Sequence, residues 1–328
     1  MAHAYTPGLK VMERTHVRKE RRLPLPGQVH VARGQQVEAE QVVASTHMPG
    51  PVRMVNVAAE LNVAPEEVPR FMLKQEGESV ERGEVIAELR GLWGLFHSLC
   101  RAPMAGTIES ISSVTGQVSL RGVPTPVELM AYLDGVVTEV LPREGVVIEA
   151  TCTLVQGIFG LGGETCGFLR LAVDGPEAIL DEEGLEDDCR GAVLIGGSLV
   201  TLGAVRKAVS LGAAAIVVGG MEDQDVDSLL GYPLGVAVTG HEHVGLTLVL
   251  TEGFGRIPMA TRTFELLVAR AGAKASVNGA TQIRAGVLRP EVLVTQPGES
   301  PAEEGKAEGL LEPGRPVRLI RDPYFGQL

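Results

Sequence analysis

Two segments, GQQVEAEQVVA at 34–44 and GESVERGEVIA at 77–87, match position for position and constrain the chain more than any other feature. Gly34, Val37, Val42, Val43 and Ala44 fall on Gly77, Val80, Val85, Ile86 and Ala87. Each copy reads as a turn glycine, one inward valine, a second turn and a short apolar strand. Looser echoes follow in APMAGTIESISSVTGQVSL (102–120) and DGVVTEVLPREGVVIEA (134–150). Short strands at this spacing, with glycine turns and no helical period, predict a small all-β sandwich or barrel over 25–150, preceded by an N-terminal arm, 1–24. MVNVAAELNVAPEEVPRFML (54–73), between the two copies, reads as an insertion or crossover with a short helix before Pro65.

EGESVERGEVIAEL (76–89) and APMAGTIESI (102–111) resemble the barrel-sandwich hybrid family, which includes biotinyl and lipoyl carrier domains. The likeness is greatest to the lysine-free versions in electron-transport and RNA polymerase subunits. Carriers hold their cofactor on a hairpin lysine, commonly in a Met-Lys-Met type motif. Here Ala87 is followed by ELRGLWGLFHSLCRAP, without a lysine, and Lys74 lies before the turn glycine. The resemblance therefore implies a fold without its biotin or lipoate, and no cofactor is expected.

VQGIFGLGGETCGFLRLAV (155–173) is dense in glycine but lacks the Lys-Ser/Thr ending of a P-loop. Its flanks alternate like strands, so 151–189 reads as a glycine-tipped β-hairpin connection, a role compatible with cradling a ligand. From 190 to 295 buried strands alternate with helical patterns. RGAVLIGGS, AAAIVVGGMED, LGVAVTGHEH and VGLTLVLTEGFG read as strands with their following loops. SLVTLGAVRKAVSLG, with Ser198 as N-cap, and IPMATRTFELLVARAG read as helices. The expected fold class is multi-domain: a β barrel-sandwich hybrid, then an α/β domain with a mainly parallel sheet.

Strand order locates the candidate site. Loops that follow parallel strands share the rim where open α/β sheets bind ligands, and glycines there admit close backbone approach. The candidate ligand-binding residues are Gly196, Gly197 and Ser198; Gly219 and Gly220; Thr239, Gly240, His241, Glu242 and His243; and Thr251, Glu252 and Gly253. TGHEH and TEGFG are expected side by side. His241 and His243 could both ligate a metal from a strand, with Glu242 or Glu252 as third ligand or general base. Solvated or helix-capping loop residues are the plainer alternative, and no permanent metal is expected. Gln282 and Arg284 either add polar groups to this rim or belong to a structural hairpin. No nucleophile–base pair or dinucleotide fingerprint points to a reaction, so enzymatic function is left open.

A net charge of -12 argues against a broad electrostatic grip on nucleic acid or anionic membrane. The four cysteines lack metal-ligand spacing and read as buried thiols of a reducing compartment. The charged stretch 13–22 is not followed by an apolar run, and no window suits a membrane helix, so a cytoplasmic protein is expected. Residues 296–313 form a polar linker rich in Pro, Gly and Glu. GRPVRLIRDPYFGQL (314–328) resembles the opening half of a KOW motif, a small SH3-like barrel of elongation factors and ribosomal proteins. The match stops where a second strand would come, as expected of a fragment of a longer chain. Arg315, Arg318 and Arg321 would form a local basic patch there. The expected function is a non-catalytic assembly or binding module linked to transcription or translation. It would meet a protein partner or small ligand at the rim, and RNA, ribosome or polymerase through the tail. The alternative is an enzyme or small-ligand sensor using the glycine-rich rim.

Overall fold

The computed structural model describes residues 9–90, 97–233, 242–281 and 288–296. They are mostly β, with a few short helices. The chain begins with β1 (Val11–Arg22), β2 (Gln28–Val29), β3 (Gln36–Val37) and β4 (Val42–Met48). It next forms β5 (Val52–Asn56), α1 (Val57–Leu61), α2 (Val68–Phe71), β6 (Ser79–Val80), β7 (Val85–Arg90), β8 (His97–Arg101), β9 (Gly106–Ile111) and β10 (Gln117–Gly122). It returns to the first group through β11 (Thr125–Met130), β12 (Gly135–Leu141) and β13 (Gly145–Gln156).

The sequence repeat is a structural repeat. Gly34 and Gly77 both adopt positive φ, +84° and +88°, with open space around them, a turn geometry that glycine adopts without Cβ strain. Val37 and Val80 are buried, and so are the pairs Val43 and Ile86, Ala44 and Ala87. β3 pairs with β12 at Gly135 and Val136, and β6 pairs with β9 at Gly106 and Thr107. The looser echoes are thus the partner strands of the two copies. β4 pairs with β11, whereas β7 pairs with β8. The segment β5–β10 is therefore inserted between the paired strands of the first copy, and 54–73 belongs to that inserted unit. Each unit closes over its own apolar cluster, one around Val43, Leu133 and Ile148, the other around Ile86, Ile108 and Leu120.

The rest of the chain adds β14 (Phe159–Leu161), β15 (Glu164–Leu171), β16 (Ile179–Leu180), β17 (Ala192–Ile195), β18 (Leu199–Val200), α3 (Leu202–Leu211), β19 (Ala215–Met221), α4 (Asp223–Leu230), β20 (Thr247–Phe254), α5 (Thr261–Val268), β21 (Lys274–Asn278) and β22 (Glu291–Thr295). One eleven-stranded sheet runs β14-β20-β19-β17-β15-β21-β22-β13-β12-β3, with β1 also on β13. Residues 11–22 of the expected arm are thus a strand of this sheet, paired along β13 from Val155 to Gly145. β13 is shared: its first half pairs with β12 and its second half with β22.

The sheet is mixed, not mainly parallel. Only β15–β17, β17–β19 and β19–β20 run parallel. β21 pairs antiparallel with β15 and with β22. The expected hairpin at 155–173 is also corrected: β14 pairs with β20, while β15 lies between β17 and β21. The glycines serve a tight crossing instead. A side chain at Gly160 would press on the Gly279 carbonyl, and one at Gly162, at φ +94°, on the Leu246 carbonyl. After Gln156 the Gly157 N–H donates to the Pro290 carbonyl and the Ile158 N–H to the Leu250 carbonyl, both at 2.8 Å. The chain leaving β13 thereby reaches the far edge of the sheet.

Apolar layers form on both faces. Leu194, Ile216 and Leu248 pack against α3 and α4, while Val193, Val217, Val249 and Val277 pack with Phe264 and Leu267 of α5. α3 starts later than expected. Thr201, not Ser198, is its N-cap, with Oγ1 accepting from the Ala204 N–H at 3.1 Å, and Gly212 ends it at φ +76°. No helix among the described residues is long and apolar enough to cross a membrane.

Candidate functional site

The loops GGS, GGMED and TEGFG sit at the C-terminal ends of β17, β19 and β20, so they do share one rim. Their glycines are occupied by the chain itself. A Cβ on Gly219 would strike the Ile257 carbonyl and come within 2.9 Å of the Gly197 carbonyl and the Met259 nitrogen. A Cβ on Gly220 would strike the Gly255 carbonyl, and one on Gly197 the carbonyls of Ala178 and Gly175. A Cβ on Gly196 would lie 3.0 Å from a Val218 methyl. Backbone bonds stitch these loops together: Gly219 N–H to Gly197 O, Gly255 N–H to Met221 O, and Ile257 N–H to Ser198 O, at 2.8, 2.8 and 3.0 Å.

The polar side chains of the rim turn the same way. Ser198 is fully buried, and its hydroxyl donates to the Glu177 carbonyl at 2.8 Å. The Thr251 hydroxyl donates to the Val218 carbonyl at 3.3 Å. Glu252 accepts from the Ala260 N–H at 2.8 Å and so anchors the start of α5. Gly253 has φ +141° and lies 3.8 Å from the nearest Ile257 atom.

Glu242 and His243, the described part of TGHEH, are not beside TEGFG. Glu242 and His243 lead into the N-terminal end of β20, whereas TEGFG closes its C-terminal end. The seven steps from Thr247 to Phe254 put the two ends of β20 about 23 Å apart at ~3.3 Å per residue. Val244 packs against the α3 side of the core, and Gly245, at φ +90°, lies where a Cβ would be 2.7 Å from a Val209 methyl. Thr239, Gly240 and His241 lie outside the described residues, as do Gln282 and Arg284. Among the described residues no group of three or more His, Cys, Asp and Glu side chains is placed to hold a metal ion.

An opening of about 410 Å³ adjoins the rim where sequence reasoning did not look. It lies between the ends of β15 and β17 and the segment 174–189, with Arg170, Leu171, Val173, Ile179, Leu185 and Cys189 in its wall. The segment 174–188 is strongly acidic, from Asp174 to Asp188. Arg170 pairs with the carboxylates of Asp188 and Glu186, and also donates to the Asp188 carbonyl at 3.1 Å. The hydrogen bond to Asp188 raises the Arg170 pKa and holds its charge. Lys207 on α3 donates to the carbonyls of Glu182 and Leu185 at 2.7 and 2.9 Å, fixing the segment to the core. The contrast between an alternating strand carrying Arg170 and an acid-rich loop is the sequence signal that was available.

A second polar cluster lies where the first β unit meets the large sheet. Tyr132 is buried, and its hydroxyl donates to Glu291 at 3.1 Å. Lys19 pairs with the same Glu291 oxygen. Arg21 forms two bonds of 2.7 Å to Glu164, donates to the Met130 carbonyl at 3.0 Å, and stands 5.3 Å from the Tyr132 ring centre. Tyr132 holds φ +69°, a conformation a bulky side chain resists, so its surroundings fix it. Burial, then the Glu291 charge, push its phenol pKa well up, so it acts as a proton-bearing donor. Burial likewise pushes up all four thiols, Cys152 to about 11, so none is a thiolate at neutral pH.

Comparison with models of protein families, with characterised proteins and with solved structures finds no match.

Proposed function

We propose that this chain is a non-catalytic assembly or binding module whose partner belongs to the transcription or translation machinery. The observation that carries the first half is the rim. Its glycines accommodate neighbouring carbonyls of the same chain, and its hydroxyls and Glu252 bind backbone. A rim used this way braces a scaffold. The polymerase or ribosome link rests on sequence: the likeness of 76–89 and 102–111 to lysine-free barrel-sandwich hybrids, and of 314–328 to a KOW opening. In this reading the β units are protein-binding bodies and Arg315, Arg318 and Arg321 contact RNA or an RNA-bound partner.

The test is co-sedimentation of purified chain with ribosomes and, separately, co-elution with RNA polymerase, each with a version ending at residue 296. Salt-sensitive association of the full chain, lost on shortening, supports the reading. Failure of the full chain to associate with either particle contradicts it.

A second reading, a small-ligand sensor, is favoured by the opening at Arg170. Its volume of about 410 Å³ falls in the range of small-molecule sites, ~300–1,000 Å³. A ligand that raises the melting temperature of the chain but not of Arg170→Ala would select this reading.

A further inference from the structure

The inserted unit joins the rest of the chain in an unusual way. β4 and β11 run paired out to Met48 opposite Thr125, and β5 and β10 resume pairing at Val52 opposite Arg121. Between these ladders lie Pro49-Gly50-Pro51 on one chain segment and Gly122-Val123-Pro124 on the other. Three prolines at this neck have no N–H to give, so the ladder cannot continue through it. One backbone bond spans it, from the Gly122 N–H to the Pro51 carbonyl at 2.9 Å, with a long contact from Arg121 to the Gly50 carbonyl at 3.5 Å.

The core of the unit draws only on its own residues, from Val55 to Leu120. Its ion pairs are internal as well: Lys74–Glu84, Arg90–Glu88, His97–Glu88 and Arg121–Glu109. Among the described residues, no hydrogen bond or ion pair ties 52–121 to any residue outside 50–122. The rest of the molecule is knit differently. β13 runs through both the first β unit and the large sheet, and Tyr132–Glu291 and Arg21–Glu164 bond across their contact. Met48, Val52, Met54 and Val123 around the neck are open to solvent rather than packed into a joint.

We propose that residues 52–90 and 97–121 form an arm that turns as one rigid body about the neck at 49–51 and 122–124, while the first β unit and the large sheet move as one piece. Stiffness inside the arm follows from its closed core. Freedom at the neck follows from the interrupted ladder: Gly50 packs on Gly122 there, but among the described residues no hydrogen bond or ion pair braces the arm from beyond 50–122. The repeat register gives the arm its meaning. β4 and β11 correspond to β7 and β8, so the arm leaves the first unit from the strand pair equivalent to its own β7–β8 pair.

Spin labels on encoded ketone side chains would test this in the full chain without touching its cysteines. One label at Val114 in the arm and one at Glu128 on β11 report across the neck; Glu128 with Gln224 on α4 is the control. All three sites are exposed. Pulsed dipolar distances should be at least about twice as broad across the neck as in the control, since domain hinges sample several orientations. A neck distribution as narrow as the control overturns the proposal. Equal breadth in both pairs also overturns it, because the motion would not reside at the neck.

Discussion

Replacing Gly219 by alanine puts the account of the rim under the greatest strain. The new methyl would meet the Ile257 carbonyl, with the Gly197 carbonyl and the Met259 nitrogen each at 2.9 Å. All three are backbone atoms, and Gly197 and Ile257 are held by the bonds that close the rim, so none can move aside as a side-chain tip would. Overpacking a rigid site costs about 1–3 kcal/mol, and three simultaneous backbone conflicts place this one near 3 kcal/mol. At about 2–4 °C per kcal/mol for a body of this size, the melting temperature should fall by roughly 6–12 °C. Gly231→Ala is the reference. Gly231 has φ +79° with nothing within 4 Å, so only the backbone conformation is penalised, by about 1 kcal/mol. Differential scanning calorimetry of both variants against the unaltered chain, at several scan rates, gives the comparison. A Gly219→Ala protein as stable as the parent, or no less stable than Gly231→Ala, would refute the closed rim and restore it as open ground for a ligand.

Other consequences concern separate parts of the molecule. Tyr132→Phe removes one donor from the Glu291 carboxylate while Lys19 remains, and should cost about 1.5–3 kcal/mol in chemical denaturation; no loss would mean the phenol does not brace the contact. Glu84, Glu88 and Glu109 have pKa values lowered by Lys74, by Arg90 and then His97, and by Arg121 respectively, and all three lie in the arm. Their folded values lie below the unfolded one, so their stabilisation is present above about pH 4.3 and is lost as pH falls through the depressed values. Amide protection factors in the arm, corrected for the intrinsic exchange rate at each pH, should therefore fall on acidification before those of β17 and β19; the reverse order would refute this. The thiols should react slowly with a disulfide reagent at neutral pH in the folded chain, and all four at once in denaturant. A fast native thiol would show an environment other than the one described. Arg170→Ala should leave stability within about 1 kcal/mol, since its partners are exposed, but speed proteolysis between 174 and 189.

The parts legible in the sequence were those governed by local rules. Gly34 and Gly77 announced turns because a positive φ suits glycine, and Val43 and Ile86 announced buried strands because they follow those turns at a fixed spacing. The order of β17, α3 and β19 was readable for the same reason. Partner choice was not. β15 alternates like one arm of a hairpin, yet its neighbours are β17 and β21, the latter about a hundred residues away. Nothing in VQGIFGLGGETCG distinguishes a tip from a crossing, since both need glycine. TGHEH was assigned to the strand expected before it, but Glu242 and His243 belong to the approach to β20, which puts them at the opposite end from Glu252. The rim glycines carried a double meaning. Close approach of backbone was read correctly, but the approaching backbone belongs to the chain itself. Arg21–Glu164 and Tyr132–Glu291 join residues far apart in sequence, and no local pattern marks such pairs.

Hydrogen exchange of the full chain, alone and bound to RNA polymerase or ribosomes, tests the central claim most directly. A braced scaffold predicts that amides at 196–198, 219–220 and 252–255 are slow in the free chain and unchanged on binding, while new protection falls elsewhere, on the arm or beyond residue 296. New protection confined to those rim amides would contradict the account and make the rim the binding site.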